Sequence, residues 1–335
     1  MKPGRRARRS RGRLSVVRTA ILAIFAIALS AMAGSLAYFL PAAELAWNST
    51  GQVVSIASPS PSPSTASSPS PSPAVQTPGA FTVLLLGSDD DSKFSADHVL
   101  TQSMILVRVI PTTKQVIMLS IPRDLYVPFW SGGSGKIDGA YSYGQAGGAI
   151  ATVERDFGVH VDEYIWIGLL GLIKLIDAIG GIDVVTSAPV IDDYYPQDLF
   201  TSDPYEYQRV AVLAGPQHLD GIHAMQYVRS RHNDLQSDIG RSKRQQQVLL
   251  AIRQKAKQLK AADVPVIATA LGGEIKTSIS IDRVVQRIPL AATFDNPDNI
   301  TTLVMVPPLF HGGGPGGSLN PNWPAILQLV RQYFP

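Results

Sequence analysis

The 335-residue chain has no cysteine, which excludes disulfides, thiolate nucleophiles and cysteine-ligated metals without excluding an oxidising compartment. Its six histidines show no spacing of the zinc type, and no G-x-S-x-G elbow is present. Neither a zinc hydrolase nor a serine acyl transferase is therefore expected. The Gly-rich stretch His311–Gly317 lacks the G-K-[ST] ending of a phosphate-cradling loop. No acidic residue precedes Glu44, whereas Lys2, Arg5, Arg6, Arg8, Arg9, Arg11, Arg13 and Arg18 are all basic. The formal charge of +3 is thus misleading, because the other 21 basic residues face 26 acids. A body that is net acidic is not expected to bind nucleic acid.

Charge is also missing from Thr19 to Ala43, and Ile21–Leu40 is almost wholly apolar. Such a run, at about 1.5 Å per helical residue, spans a hydrocarbon core of about 30 Å. The basic flank stays in the cytoplasm under the positive-inside rule, so the C-terminal body is exported. A cleaved signal peptide is the alternative, since Ala31-Met32-Ala33 has the small residues of a cleavage site, but the apolar run continues past it. The Pro-Ser repeats between Ser58 and Pro78 have almost nothing to bury and read as an extended spacer. The predicted layout is a cytoplasmic tail (1–18), a transmembrane anchor (19–43), a Pro/Ser-rich extracytoplasmic linker (44–79) and one folded domain (80–335).

In the folded part, Phe81–Gly87, Ser103–Ile110 and Val116–Ile121 read as strands. The short link Pro111–Lys114 requires the last two to form an antiparallel hairpin. That hairpin brings Gln102 and Ser103 close to Arg123, and an antiparallel first strand would add Asp89 to the same sheet edge. Helices are expected from Gln145 to Phe157 and from Tyr164 to Ile179, the second ended by Gly180-Gly181. Ile182–Val185 and Ile300–Val306 read as strands, Pro189–Pro216 as a long surface connection, and Ile279–Ile288 as a helix. A short helix over Ile222–Gln226 is capped by Asp220. The alternation predicts a three-layer α/β/α sandwich with a mixed central sheet, preceded by one transmembrane helix.

The stretch Tyr227–Arg231, followed by Asp238–Gln247, carries the chemistry. If Tyr227–Arg231 runs extended, Arg229 and Arg231 share one face, roughly 7 Å apart. Asp238 then caps a helix whose stripe runs Arg241, Gln245, Val248 or Leu249, Ile252, Ala256 and Leu259, with Arg241 and Gln245 at its wet end. Arginines at a helix N-terminus suit a diphosphate, because guanidinium binds phosphate through paired hydrogen bonds. The plainer reading is surface salt bridges to Asp234 and Asp238, worth little. Phosphoryl transfer needs chiefly positioning and a cationic clamp, which the arginines, Lys136 and Asp89 could supply.

Four ordered blocks, Leu119–Asp124, Lys136–Tyr141, Gln217–Gly221 running into Tyr227–Arg231, and Gly240-Arg241 with Arg244–Gln246, make the region 81–260 resemble the LytR-CpsA-Psr family of the bacterial cell envelope. The resemblance implies a phosphotransferase moving a glycopolymer from a polyprenyl diphosphate carrier to peptidoglycan, with release of polyprenyl phosphate. It implies that Arg123, Arg229, Arg231 and Arg241 grip the diphosphate with help from Lys136 and Gln245. Asp89 would hold Mg²⁺ and serve catalysis with Arg123, Arg229 and Arg231, and the Ile165–Ile179 helix would line a cavity for the prenyl tail. Gln102 stands where the family usually has a second acid, and Leu100 where it usually has an arginine; a neutral amide is a poorer ligand for a hard cation. The alternatives are a non-catalytic polyprenyl diphosphate sensor, in keeping with the family's label of transcriptional attenuator, and a polyprenyl diphosphate hydrolase.

Overall fold

The computed structural model describes residues 79–88, 99–197, 203, 205–231, 237–258, 267, 269–280, 283 and 296–335. The tail, the apolar run, all of the linker but Gly79, Asp89 and most of the helix predicted over Ile279–Ile288 lie outside these residues. No helix among the described residues is long and apolar enough to cross a membrane.

Strands β1 (Phe81–Ser88), β2 (Thr101–Ile110) and β3 (Gln115–Ile121) lead into a small hairpin, β4 (Tyr126–Pro128) and β5 (Ser134–Lys136), and helix α1 (Ala140–Phe157). Next come β6 (Glu163–Ile167), α2 (Leu169–Ala178), β7 (Ile182–Thr186), β8 (Val190–Pro196), β9 (Tyr207–Val212) and β10 (Gly215–Leu219). Helices α3 (Gly221–Arg229) and α4 (Ser237–Ala256) follow, then β11 (Ile275–Thr277), β12 (Ile300–Val304), β13 (Phe310–His311), β14 (Asn320–Pro321) and α5 (Trp323–Tyr333). The fold is mixed α/β about a six-stranded sheet of order β11-β6-β1-β2-β3-β12. The β1–β2–β3 meander is antiparallel, while β6 and β12 add in parallel to β1 and β3.

Period-two alternation builds the core. Leu84, Leu106 and Leu119 stand opposite one another across three strands, with Tyr164 of β6 in the same row. Leu86, Met104, Ile121 and Trp166 form the next row, and both rows pack with α1 and α5 in one apolar cluster. Helix α1 contributes Ala146, Ala149, Ile150, Val153 and Phe157, at helical spacing. From the other side, Gln246 of α4 donates to Ser120 Oγ at 2.8 Å and to the Leu303 carbonyl at 2.7 Å, tying α4 to β3 and β12.

The structure corrects the sequence reading in several elements. Tyr164–Ile167 is a strand beside β1, because Glu-Tyr-Ile-Trp-Ile is aromatic and β-branched and Gly168 separates it from α2. The polar breaks in α2 have partners: Lys174 Nζ lies 2.6 Å from Glu274 Oε1, and Asp177 accepts from the Gly221 amide at 2.7 Å. Gly221 permits that approach, since a Cβ there would sit 2.2 Å from the Ile173 carbonyl oxygen. The expected connection Pro189–Pro216 contains a true hairpin, β8–β9, whose inward Val190, Tyr195, Val210 and Val212 are buried. Lastly, α5 and β4–β5 were not anticipated.

Candidate active site

Pro122 stops β3 because it has no N–H to continue the ladder. The chain turns there, with the Leu125 amide donating to the Pro122 carbonyl at 3.1 Å, and so delivers Arg123 and Asp124 to the sheet end. Arg123 donates through Nη1 to Gln102 Oε1, so the predicted proximity of β2 and β3 at this end is present. Asp124 joins two cations: Oδ2 is 3.4 Å from Arg123 Nε and Oδ1 is 2.7 Å from Lys136 Nζ on β5. Burial alone would push the Asp124 carboxyl up. The Lys136 hydrogen bond and the charges of Arg123, Lys136 and Arg241 together hold it below the usual carboxylate range.

Helix α4 begins one residue before the predicted cap. Asp238 therefore lies inside the first turn, where Oδ1 is 3.0 Å from Arg241 Nη2 one turn on. Arg241 is not at a wet end: it is 6% exposed, and its Nε has no hydrogen-bond partner among the described residues. Burial pulls its pKa down to about 10, the charges of Arg123 and Arg231 pull the same way, and Asp238 and Asp124 oppose them. Arg123, Arg231, Arg241 and, through Asp124, Lys136 therefore share one electrostatic neighbourhood. Gln245, one turn further along α4, accepts from Ser103 Oγ at 2.9 Å, which fixes the helix against the start of β2.

The Tyr227–Arg231 stretch is not extended. Tyr227, Val228 and Arg229 complete α3, and Ser230, at φ −56° and ψ 139°, ends it. The Ala224, Tyr227 and Val228 side chains pack inward, and burying that helical face outweighs the strand reading. Arg229 and Arg231 therefore do not share a strand face. The Arg229 guanidinium lies 5.7 Å from the centre of the Tyr195 ring, while the Arg231 side chain is exposed and its amide donates to the buried Asp192 at 3.2 Å.

Asp138 and Arg244 were not picked out for a role by sequence reasoning. The buried Asp138 carboxyl is pushed up to about 6 by burial, against the pull of Arg123. Its amide donates to the Arg123 carbonyl at 3.2 Å and its carbonyl accepts from Thr101 Oγ1 at 3.2 Å. The sequence signal for Asp138 is its place in the Lys136–Tyr141 block, between Lys136 and the Gly139 turn. Arg244 holds the end of α3, donating to the Tyr227 carbonyl at 2.7 Å and to the Ser230 carbonyl.

Asp89 follows β1 directly but lies outside the described residues. Among the described residues no group of three or more His, Asp or Glu side chains could hold a metal ion. At the expected second ligand, the amide oxygen of Gln102 already receives the Arg123 cation. This described half of the expected Mg²⁺ site does not fit a hard divalent cation.

Fold and site together define an α/β scaffold that gathers cations, one of them buried, at the end of a mixed sheet. The LytR_cpsA_psr family model matches residues 48–306, and the chain belongs to that LytR-CpsA-Psr family. It is 30% identical over 255 residues to a polyisoprenyl-teichoic acid–peptidoglycan teichoic acid transferase, TagU, of Oceanobacillus iheyensis, covering 74% of this chain and 71% of the relative. It is 32% identical to the Enterococcus faecalis TagU, covering 60% of this chain and 62% of the relative. Biofilm regulatory protein A of Streptococcus mutans is 33% identical, with 60% of this chain and half of the relative covered. Among solved structures, B. subtilis TagV superposes with a TM-score of 0.62 at 27% identity, over 76% of this chain and 95% of that one. TagT bound to LIIa-WTA superposes at 0.59 with 26% identity, over 76% and 89% of the two chains.

Proposed function

We propose that the chain is a three-layer α/β/α phosphotransferase, held outside the membrane by the apolar run Thr19–Ala43. It would move a glycopolymer from a polyprenyl diphosphate carrier to peptidoglycan. One observation carries the reading: Arg241 is buried among further cations with a lowered pKa and an unmatched Nε, an arrangement that a bound anion relieves. The names of the transferase relatives supply the substrate class.

In this reaction an acceptor hydroxyl attacks the phosphorus that bears the glycan. A new P–O bond forms, the bond to polyprenyl phosphate breaks, and the hydroxyl proton leaves to a base, for which Asp89 is the proposed residue. Arg123, Arg231 and Arg241 hold the phosphoryl oxygens and stabilise charge as it develops, with Lys136 positioned by Asp124 and Arg229 by the Tyr195 ring. Apolar residues Leu169 and Ile173 of α2, packed with Tyr195, Val210 and Met225, mark the flank assigned to the prenyl chain. Binding of Mg²⁺ at Asp89 is a separate proposal, tested by titrating the ion with and without the lipid diphosphate.

A non-catalytic lipid-diphosphate sensor is the second reading. It is favoured by the neutral Gln102 bound to Arg123 and by the regulatory name of the S. mutans relative. The test mixes the full chain in detergent with a polyprenyl diphosphate oligosaccharide and peptidoglycan fragments. Polyprenyl phosphate and conjugate in equal amounts, both lost in Arg241→Ala, is the expected result. Polyprenyl phosphate with free glycan phosphate would indicate hydrolysis, and binding without products would indicate the sensor.

A further inference from the structure

The tip of the β4–β5 hairpin and the first turn of α1 carry aromatic rings that the phosphate chemistry does not use. Trp130 is 43% exposed and Tyr143 is 70% exposed. Trp130 is held rigidly. Its amide donates to Thr152 Oγ1 at 3.3 Å, and the neighbouring Phe129 carbonyl accepts from Arg155 Nη1 at 2.8 Å. The turn closes on itself, with Phe129 N to Gly133 O and Gly132 N to Phe129 O both at 3.0 Å. The indole lies against Gly144 and Gly148, four residues apart on α1. A Cβ would come within 3.0 Å of the indole at Gly144 and within 2.7 Å at Gly148, so both positions require glycine for this seat. Tyr143 is propped on Phe129, with ring centres 5.3 Å apart.

Between them the backbone is strained. Gln145 sits at φ 53° and ψ −149°, a region that only glycine visits without cost, and its side chain is exposed. The seated Trp130 indole and the exposed Tyr143 ring, with an exposed amide that offers two donors and an acceptor oxygen, match the chemistry of a pyranose. The C–H face of such a sugar packs on rings while its hydroxyls bond to amides. The hairpin side chains from Leu125 to Gly135 are uncharged and the cation packed against them, Arg155, is engaged by Asp156 and the Pro128 and Phe129 carbonyls, so this surface suits a neutral glycan better than the headgroups of an anionic membrane. The hairpin runs from this tip to Lys136, about 10 Å away at the strand rise, and so connects the surface to the arginine cluster.

We propose that Trp130, Tyr143 and Gln145 form a subsite for the acceptor glycan strand, a deepening that rests on the transfer reading above. In-line displacement requires the attacking hydroxyl to enter opposite the departing polyprenyl phosphate. The apolar flank assigned to the prenyl chain belongs to α2 and β8–β9, whereas Trp130 and Tyr143 belong to α1 and β4–β5, the other flank.

The test measures binding of a lipid-free peptidoglycan glycan fragment and, separately, of the carrier-linked donor to the full chain by calorimetry. Trp130→Ala should weaken fragment binding roughly three- to tenfold and raise the acceptor KM alike. Trp130→Phe should restore most of the affinity, and donor binding should not change in either variant. Gln145→Gly should keep or raise the melting temperature while weakening the fragment, a result that misfolding cannot produce. Unchanged fragment affinity in Trp130→Ala and Gln145→Gly would overturn the subsite, and so would a loss confined to the donor. Trp130-dependent fragment binding without any transfer would preserve the subsite while removing the transfer reading.

Discussion

Helix α4 buries two arginines in successive turns, and they differ in what surrounds them. Arg244 has its guanidinium matched by the Tyr227 and Ser230 carbonyls and lies 5.7 Å from the Tyr227 ring centre. Arg241, equally buried, has one carboxylate partner, an unmatched Nε and two further arginines adding to its field. A buried charge whose donors are matched by the protein is structural. One left short beside other cations, as Arg241 is, is a place for a ligand. The contrast separates two arginines that stand three residues apart on one helix.

The largest expected effect comes from Arg241→Ala. Transfer should fall by about 10² to 10³-fold, as for loss of one transition-state donor, with a melting temperature unchanged or raised. Kinetics and a thermal melt on one preparation check both halves. Arg244→Ala should do the reverse, costing about 2–4 kcal/mol of stability because two carbonyls lose their donor, while the folded fraction keeps its turnover. Urea titration against activity per folded molecule measures it. If both variants lost activity without losing stability, the distinction between the two arginines would collapse.

Asp138 extends the comparison to the opposite sign. Its folded pKa, about 6, lies above the ordinary 3.8, so the fold favours the neutral acid. Its contribution to stability is complete below about pH 4 and is lost as pH rises to 6, by roughly 1–3 kcal/mol. Asp138→Asn should flatten that dependence in melts between pH 4 and 7.5. The smallest effect expected is at Gln102→Glu. A carboxylate there should raise Mg²⁺ affinity severalfold by calorimetry, with the Arg123 ion pair limiting the gain. No gain would mean that Arg123 excludes the metal whatever residue faces it.

Much of the scaffold was legible in the sequence because it depends on local pattern. The β2–β3 hairpin followed from two apolar runs joined by a four-residue link, and the α3 cap from Asp220, which accepts from the His223 amide at 2.9 Å. The meeting of Gln102 with Arg123 followed from hairpin geometry alone. The errors have a common cause. Tyr164–Ile167 is apolar in every way that a buried helix is, and only pairing with β1 decides it as a strand. Tyr227–Arg231 reads equally well as strand or helix until the Ala224, Tyr227 and Val228 face packs inward.

The sequence by itself determined which cations were available, where β3 must stop, and that a basic, uncharged and Pro/Ser-rich succession precedes the folded body. It determined these because charge, proline and period are local properties. Only the tertiary structure decided that Arg241 is buried and under-partnered while Arg244 is satisfied, that Asp124 joins Arg123 to Lys136, and that Gln102 faces a guanidinium. Burial and pairing depend on residues up to a hundred or more positions apart. Their strength is set by the loss of water around them, which no stretch of sequence carries on its own.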